Sequence, residues 1–255
     1  MRPRGDDVSW SPKPDRRAFL LGASALWLSA CTGSSDSVIP DPADTSEPST
    51  DLAALTPAAF DALPICALLP SSGAGPFPSR ELLDRRDVTE GYPGHPLRLG
   101  MRVVDASCQP VPSASVEIWH TDATGDYSSY VDNGDGKDEG EGTTFMRGIQ
   151  TANAEGILEF QTIYPGWYGG RAVHIHTRVW VDDREVLTAQ LYFDEAYTEE
   201  IFATGVYAEF GSPDTSWAQD GPIGDPLEDG TALTLRAAST SLGEGTLGLI
   251  NLGVT

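Results

Sequence analysis

Short segments in which apolar and polar side chains alternate run through the middle of the sequence. Alternation with a period of two is typical of β-strands, because successive side chains of a strand point to opposite faces of a sheet. Clusters of Gly, Pro, Asn and Asp separate these segments, as turns do. The pattern predicts an all-β fold with little helix: a single β-sandwich domain over residues 63–255, with a short helix within 195–215 and strands closing the sheet at 231–253. The other strand-like segments are 97–104, 114–119, 145–148, 156–163, 177–181 and 186–193.

The first 30 residues have the pattern of an export signal. Arg16 and Arg17 stand just before an apolar run over 18–30, which is too short to span a bilayer as a permanent helix. The arginine pair resembles a twin-arginine signal, and the Leu-Ser-Ala-Cys sequence ending at Cys31 resembles a bacterial lipobox. We therefore predict a signal peptide at 1–30 and lipidation of Cys31. The alternative is that Cys31 only borders an ordinary cleavage site.

A lipidated Cys31 would place the protein outside the cytoplasm. We expect a membrane-anchored lipoprotein on the outer face of the cytoplasmic membrane, or in the periplasm or cell envelope. Residues 31–62 would then be a flexible linker between anchor and domain. Their Ser, Thr, Asp and Pro side chains bury too little apolar surface to order the chain.

Two cysteines remain once Cys31 is assigned to the anchor, and both fall in the predicted domain. Disulfides persist in exported proteins, so we predict that Cys66 and Cys108 pair. Two free buried thiols are the alternative. The formal net charge of −22 argues against nucleic acid as a partner, because phosphate binding needs a basic face. The acidic stretch 131–142 is interpreted as a solvated loop rather than a calcium site.

Tyrosine and histidine side chains are concentrated in residues 164–176. His174 and His176, two of the four histidines, have a spacing that places both side chains on one face of a strand. Tyr168 lies six residues upstream of His174 in a Gly-rich turn. Imidazoles and phenols together indicate a metal site, and a phenolate is a hard oxygen ligand that suits Fe(III) better than Cu(I) or Zn(II). The alternatives are a solvated His-x-His face, or a zinc or copper site that uses only the histidine pair.

Six motifs, taken in order, resemble the intradiol ring-cleavage dioxygenases of the catechol and protocatechuate type, in an exported branch of that family. The resemblance is firm over residues 63–195 and loose over the remainder. The motifs are Pro-Leu-Arg-Leu at 96–99, Ile-Trp-His-x-Asp-Ala-x-Gly-x-Tyr-Ser at 118–128, Phe-x-Arg-Gly-x-Gln-Thr at 145–151, Thr-Ile-Tyr-Pro-Gly-Trp-Tyr at 162–168, Arg-x-x-His-Ile-His at 171–176 and Gln-x-Tyr-Phe at 190–193.

The resemblance implies a non-haem Fe(III) site and an enzyme that opens a catechol-type ring with O2 to give a muconate-type diacid. By position in the motifs, the metal ligands would be Tyr127, Tyr168, His174 and His176. The same comparison implies that Arg171 and Gln190 lie beside the substrate and that Tyr168 also serves as a base. Trp119 and Tyr192 are interpreted as structural core residues, and His120 as a structural histidine, with a spare metal ligand as the alternative. Trp180 shares the face of the two histidines by strand parity, where it either lines the site or packs.

A second hypothesis comes from a different class of protein. A surface-anchored β-sandwich could be a non-catalytic binding module that retains a dioxygenase scaffold, because fold alone does not fix function. The sequence leaves the oligomeric state open, with a homo-oligomer as one option.

Overall fold

The structure is a computed structural model that describes residues 54–63, 68–75, 77–78, 82–129, 142–221, 225–240 and 242–255. Several predictions fall outside these residues: the signal peptide at 1–30, Cys31 with the linker as far as residue 53, Cys66, and nearly all of the acidic loop 131–142. These stay predictions. Cys108 is disulfide-bonded, but its pairing with Cys66 also stays a prediction, because Cys66 is not among the described residues.

Eight strands, one α-helix and two short 3-10 helices make up the regular structure of the described residues, which confirms the predicted all-β sandwich with little helix. The strands are β1 (Pro96–Val104), β2 (Ser115–Trp119), β3 (Arg147–Thr151), β4 (Ile157–Ile163), β5 (His174–Val181), β6 (Arg184–Tyr192), β7 (Thr234–Thr240) and β8 (Gly243–Gly253). Helix α1 (Glu195–Phe202) lies within the range predicted for a short helix, and the 3-10 helices are Pro57–Ala59 and Gly205–Glu209.

The strands form two four-stranded sheets, with the orders β4-β1-β8-β7 and β3-β2-β5-β6. β1 pairs antiparallel with β4 and parallel with β8, whereas the second sheet is antiparallel throughout. Alternate side chains of both sheets meet in one apolar core, to which β1 contributes Leu97 and Leu99 and β2 contributes Ile118. Ile175 of β5 also lies in this core. The two neighbours of Ile175 therefore point to the opposite face of the second sheet.

Residues 54–63 pack on the first sheet, so the folded domain begins before the predicted boundary at residue 63. Phe60 is fully buried and, with Leu63, belongs to a small apolar cluster that includes Leu249 of β8. The side-chain amide of Asn251 donates a hydrogen bond to the Phe60 carbonyl oxygen over 3.4 Å. The last part of the predicted 31–62 linker is thus part of the domain. None of the helices in the described part of the chain has the length and apolar character needed to cross a membrane.

Candidate metal centre and active site

β5 carries two buried histidines on the face away from the sandwich core. His174 and His176 are 3% and 0% exposed, and their Nε2 atoms lie 3.1 Å apart. The Nδ1 atom of His174 lies 2.6 Å from the Ala172 carbonyl oxygen. A carbonyl oxygen only accepts hydrogen bonds, so this Nδ1 carries the proton and Nε2 presents its lone pair. The predicted strand spacing therefore brings two imidazole nitrogens to one point.

Two close backbone contacts bring the predicted tyrosines to the same place. Gly125 has a φ of 88°, and a Cβ atom there would lie 2.1 Å from the Trp167 carbonyl oxygen. A Cβ atom on Gly166 would lie 2.5 Å from a carbonyl oxygen of the loop that ends at Tyr127. Only glycine permits such an approach. The two loops therefore pack tightly, and the ring centroids of Tyr127 and Tyr168 lie 5.7 Å apart.

The two phenols face the two imidazoles. The Tyr168 hydroxyl lies 3.3 Å from His174 Nε2, and the Tyr127 ring centroid lies 6.1 Å from that of His176. Tyr127 is 1% exposed, and its buried hydroxyl makes no well-formed hydrogen bond with any described residue. All four side chains predicted to bind the metal thus lie together, although their ligand role stays a prediction.

Burial sets the protonation of this cluster. It lowers the pKa of His174 to about 3, assisted by the positive charge of Arg171, and lowers the pKa of His176 well below its usual value. Burial also raises the pKa of Tyr127 well above its usual value, and it raises that of Tyr168 against the opposing effect of Arg171. Both imidazoles are therefore neutral, as metal ligands must be. Ionising the two phenols requires a strong positive charge, which a bound metal ion supplies.

Arg171 and Gln190, the other predicted catalytic residues, flank the four side chains. Arg171 donates from Nη1 to the Tyr168 hydroxyl over 3.4 Å and from Nη2 to the Gln190 side-chain oxygen. Gln190 lies opposite His176 in the β5–β6 ladder, and its side-chain oxygen also accepts from the Tyr192 hydroxyl over 2.8 Å. The structure therefore brings together every predicted catalytic and metal-binding residue.

Asp220 belongs to the same cluster, and no sequence pattern indicated it. Its side chain is fully buried, and both of its oxygens lie 3.0 Å from Arg171 Nε. Burial tends to lower the pKa of Arg171, but the Tyr168 phenol and the Asp220 carboxylate together raise it above its usual value. Asp220 lies 49 residues after Arg171, in a stretch without strand periodicity.

Comparison with known proteins identifies the family of this chain. A family model described as a dioxygenase matches residues 78–209, which is more than half of the 255 residues. The solved structure of an intradiol ring-cleavage dioxygenase from Tetranychus urticae is 29% identical, with a TM-score of 0.67, and the match covers 74% of this chain and 95% of that chain. This chain belongs to the intradiol ring-cleavage dioxygenase family.

Other relatives are more distant or match over a shorter stretch. Catechol 1,2-dioxygenase from Acinetobacter baylyi is 32% identical over 129 residues, which cover 43% of this chain and 40% of that protein. The dioxygenase domain of a carbohydrate-binding fusion protein from Streptomyces sp. SirexAA-E is 25% identical, with a TM-score of 0.54, over 73% of this chain and 97% of that chain. The matched stretch spans only 40–52% of the curated relatives' own length.

The four clustered side chains fit the non-haem iron that is general for the intradiol family. Two buried nitrogens 3.1 Å apart match the spacing of neighbouring ligands on one ion, because metal–nitrogen bonds of about 2.1 Å at a right angle separate the nitrogens by about 3 Å. The Tyr127 hydroxyl is buried without a well-formed hydrogen bond, which a metal bond would remedy. Among the described residues, no group of three or more His, Cys, Asp and Glu side chains is arranged to hold a metal ion. Two phenol oxygens beside the two imidazole nitrogens favour a hard ion.

Residues 72–75 and Phe77 lie against the site of this family member, and sequence patterns did not indicate this role. Gln190 donates from its side-chain nitrogen to the Gly73 carbonyl oxygen over 3.0 Å. A Cβ atom on Gly75 would lie 3.0 Å from Cε1 of His176, so this backbone touches the imidazole edge. Phe77 stacks on Tyr127 with ring centroids 4.5 Å apart. The 72–75 stretch is Gly-rich, which lets the backbone approach the site closely.

Most of the nearby residues interpreted as structural do pack as structural residues. His120 is fully buried, and its two ring nitrogens bind the Thr121 carbonyl oxygen and the Thr162 hydroxyl, each over 2.7 Å. Trp119 is fully buried and stacks on His176 with ring centroids 4.8 Å apart. Tyr192 is buried and holds Gln190, so it supports the site. Trp180 lies farther along the face of the two histidines, beneath the guanidinium of Arg178.

Proposed function

We propose that this protein cleaves a catechol-type ring between its two hydroxyl-bearing carbons, with both atoms of O2 entering a muconate-type diacid. The observation that carries the proposal is the convergence of two phenols and two imidazoles beside a guanidinium and an amide. Phenols, imidazoles and a fixed cation in one buried place match the ligand set and charge that this oxidation requires. Membership of the intradiol family supports the same reaction.

We propose Fe(III) as the metal, held by Tyr127, Tyr168, His174 and His176. Ferric iron held there would supply the Lewis acid that makes a catechol ring reactive towards O2. The protein's contribution is to keep both imidazoles neutral and to stack Trp119 against the His176 ring, which fixes its plane.

The remaining side chains would bind, orient and deprotonate the substrate. The Tyr168 oxygen is the candidate base for a catechol hydroxyl proton, since Tyr168 is half-buried whereas Tyr127 is enclosed. Arg171 would stabilise negative charge that develops on the ring, because a fixed cation is most effective in a site that excludes water. Gln190 holds Arg171 in place and is itself held by Tyr192.

The test is oxygen consumption with a panel of catechols, with the product identified by chromatography and mass spectrometry. One O2 should be consumed per ring, and the product should equal substrate plus two oxygen atoms. Arg171→Ala should keep the metal but lose at least tenfold in kcat, because the charge is needed mainly in the transition state. Tight catechol binding without ring opening across the panel would instead favour the non-catalytic binding module.

The cellular placement rests on the leader sequence alone. We propose export and anchoring through a lipid on Cys31, because the arginine pair, the apolar run and the lipobox-like sequence follow each other in the order that such signals need. An anchored enzyme would meet catechols outside the cytoplasm.

A further inference from the structure

A buried carboxylate, that of Asp220, holds the guanidinium of Arg171 at its Nε atom. Asp220 is 2% exposed, and its two oxygens each lie 3.0 Å from Arg171 Nε. One of these oxygens also accepts from the Ala172 backbone nitrogen over 2.9 Å. A single side chain therefore fixes both the backbone and the side chain at the residues that lead into β5.

The contact between Asp220 and Nε fixes the direction in which the rest of the Arg171 guanidinium points. A guanidinium has five donors in a rigid plane, so fixing Nε also fixes the direction of the two terminal nitrogens. Those nitrogens point to the Tyr168 hydroxyl and to the Gln190 side-chain oxygen. We propose that Asp220 is a positioning residue, which directs the charge of Arg171 towards Tyr168 and the other candidate metal ligands and keeps that charge in place. The inference rests on the proposed ring-cleavage function.

Hydrogen bonds hold the loop that carries Asp220 against the segment that leads into β5. The Trp167 indole donates to the Gly211 carbonyl oxygen over 3.0 Å, and the Gly170 nitrogen donates to the Asp214 carboxylate over 3.3 Å. The Asp220 nitrogen donates to the Ser216 carbonyl oxygen over 3.0 Å. The carboxylate therefore reaches Arg171 from a backbone that is already held, as positioning requires.

Charge gives a reason for an aspartate at this position. A half-buried guanidinium without a partner would be destabilised by the loss of hydration, or would turn towards solvent. Asp220 supplies the compensating charge on the Nε edge, and both terminal nitrogens contact Tyr168 and Gln190 instead. Residue 220 lies beyond the stretch matched by the family model, 78–209, so the part of the chain that completes Arg171 is separate from the part that carries the metal-binding motifs.

The test compares Asp220→Asn with Asp214→Asn in the full, iron-loaded chain. Both changes remove one charge from the same loop; Asp214 is exposed, and asparagine at that position keeps the oxygen that accepts from the Gly170 nitrogen, so the hold on the loop is retained. With catechol as the probe, kcat/KM should fall at least tenfold in Asp220→Asn and less than twofold in Asp214→Asn, at equal iron content. Equal values for the two variants would overturn the inference. If Asp220→Asn does not fold, Asp220→Glu is measured instead. Glutamate keeps the negative charge, so this variant should retain kcat within about threefold. A tenfold loss in kcat would contradict the inference.

A double-mutant cycle with Arg171→Gln separates positioning from a structural role. If Asp220 acts through Arg171, adding Asp220→Asn to Arg171→Gln should cost less than twofold more in kcat/KM. A further tenfold loss would show that Asp220 acts on the fold instead. The same cycle is repeated by calorimetry of catechol binding under nitrogen, which needs no turnover. An unmodified protein that binds but opens no catechol would end the proposed function, and the binding cycle would still decide the role of Asp220.

Discussion

Replacing Glu117 with Gln should change how the stability of this protein depends on pH. Glu117 lies in β2, is 3% exposed, and has one carboxylate oxygen that makes no hydrogen bond with a described residue. That oxygen lies 3.7 Å from the guanidinium of Arg178, which in turn lies over the Trp119 ring beneath His176. Burial raises the pKa of Glu117 to about 7, and the attraction of Arg178 and Arg147 only partly opposes this.

The size and sign of the effect follow from that pKa. The pKa of Glu117 rises from 4.5 in the unfolded chain to about 7 in the folded protein. At about 1.4 kcal/mol for each pH unit, this difference changes the free energy of unfolding by about 3 kcal/mol in all. Because the pKa is higher in the folded protein, this contribution is complete below pH 4.5 and is lost as the pH rises through 7. Buried His120 and His174 act in the opposite direction, since their pKa values are lowered to about 4 and about 3. Only the difference between a Glu117 variant and the unmodified protein isolates the contribution of Glu117 to the pH dependence of stability.

The assay is urea unfolding of the unmodified protein and of Glu117→Gln at pH 5, 6, 7 and 8. The free energy of unfolding of the variant, relative to the unmodified protein, should rise by about 2 to 3 kcal/mol between pH 5 and pH 8. Glu185→Gln is the matched control, because Glu185 is exposed and lies 3.6 Å from the same Arg178. Its difference from the unmodified protein should change with pH much less than that of Glu117→Gln, because an exposed ion pair is screened by solvent. A flat difference for Glu117→Gln would refute the reasoning.

Three further predictions concern the loops, the base and the leader. In urea unfolding, Gly125→Ala should lower the free energy of unfolding by about 1 to 3 kcal/mol more than Gly170→Ala. Both glycines have positive φ, but only at Gly125 would a Cβ atom meet a carbonyl oxygen. Equal losses for the two variants would contradict the close approach of the loops. Tyr168→Phe should retain iron by elemental analysis, lose roughly half of the tyrosinate absorbance, and bind catechol more slowly in stopped flow, because one of two phenolates remains; unchanged absorbance would argue against Tyr168 as a ligand. Mass spectrometry of protein from its native cell should find a lipidated Cys31 at the N-terminus, and an intact leader would disprove the anchor.

Strand periodicity was sufficient to predict the sandwich, because it reports which side chains face the core. The ranges 97–104 and 156–163 differ from β1 and β4 by a single residue at one end. The same parity placed His174 and His176 on one face, where the structure has them. Local pattern is informative here because a slip of one residue in register would turn every apolar side chain away from the core.

Sequence periodicity could not predict contacts between segments that lie far apart in the chain. Tyr127 alone looked like an ordinary packed tyrosine, and only the ordered motifs of the family connected it to Tyr168. Asp220 and Phe77 lie in stretches with no periodicity, and the fold of the loops decides what they touch. The burial of Phe60 was missed for a similar reason, since a polar composition around one aromatic residue gives no sign that it packs on a sheet.

Metal content and the visible spectrum of the purified protein test the central claim most directly. Two phenolates and two imidazoles should hold one Fe(III) per chain and give a red to purple tyrosinate charge-transfer colour that shifts when catechol is added. His176→Ala, measured alongside, should lose the metal. A colourless protein that holds zinc, or one that keeps its colour without Tyr127 and Tyr168, would contradict both the iron site and the ring cleavage proposed from it.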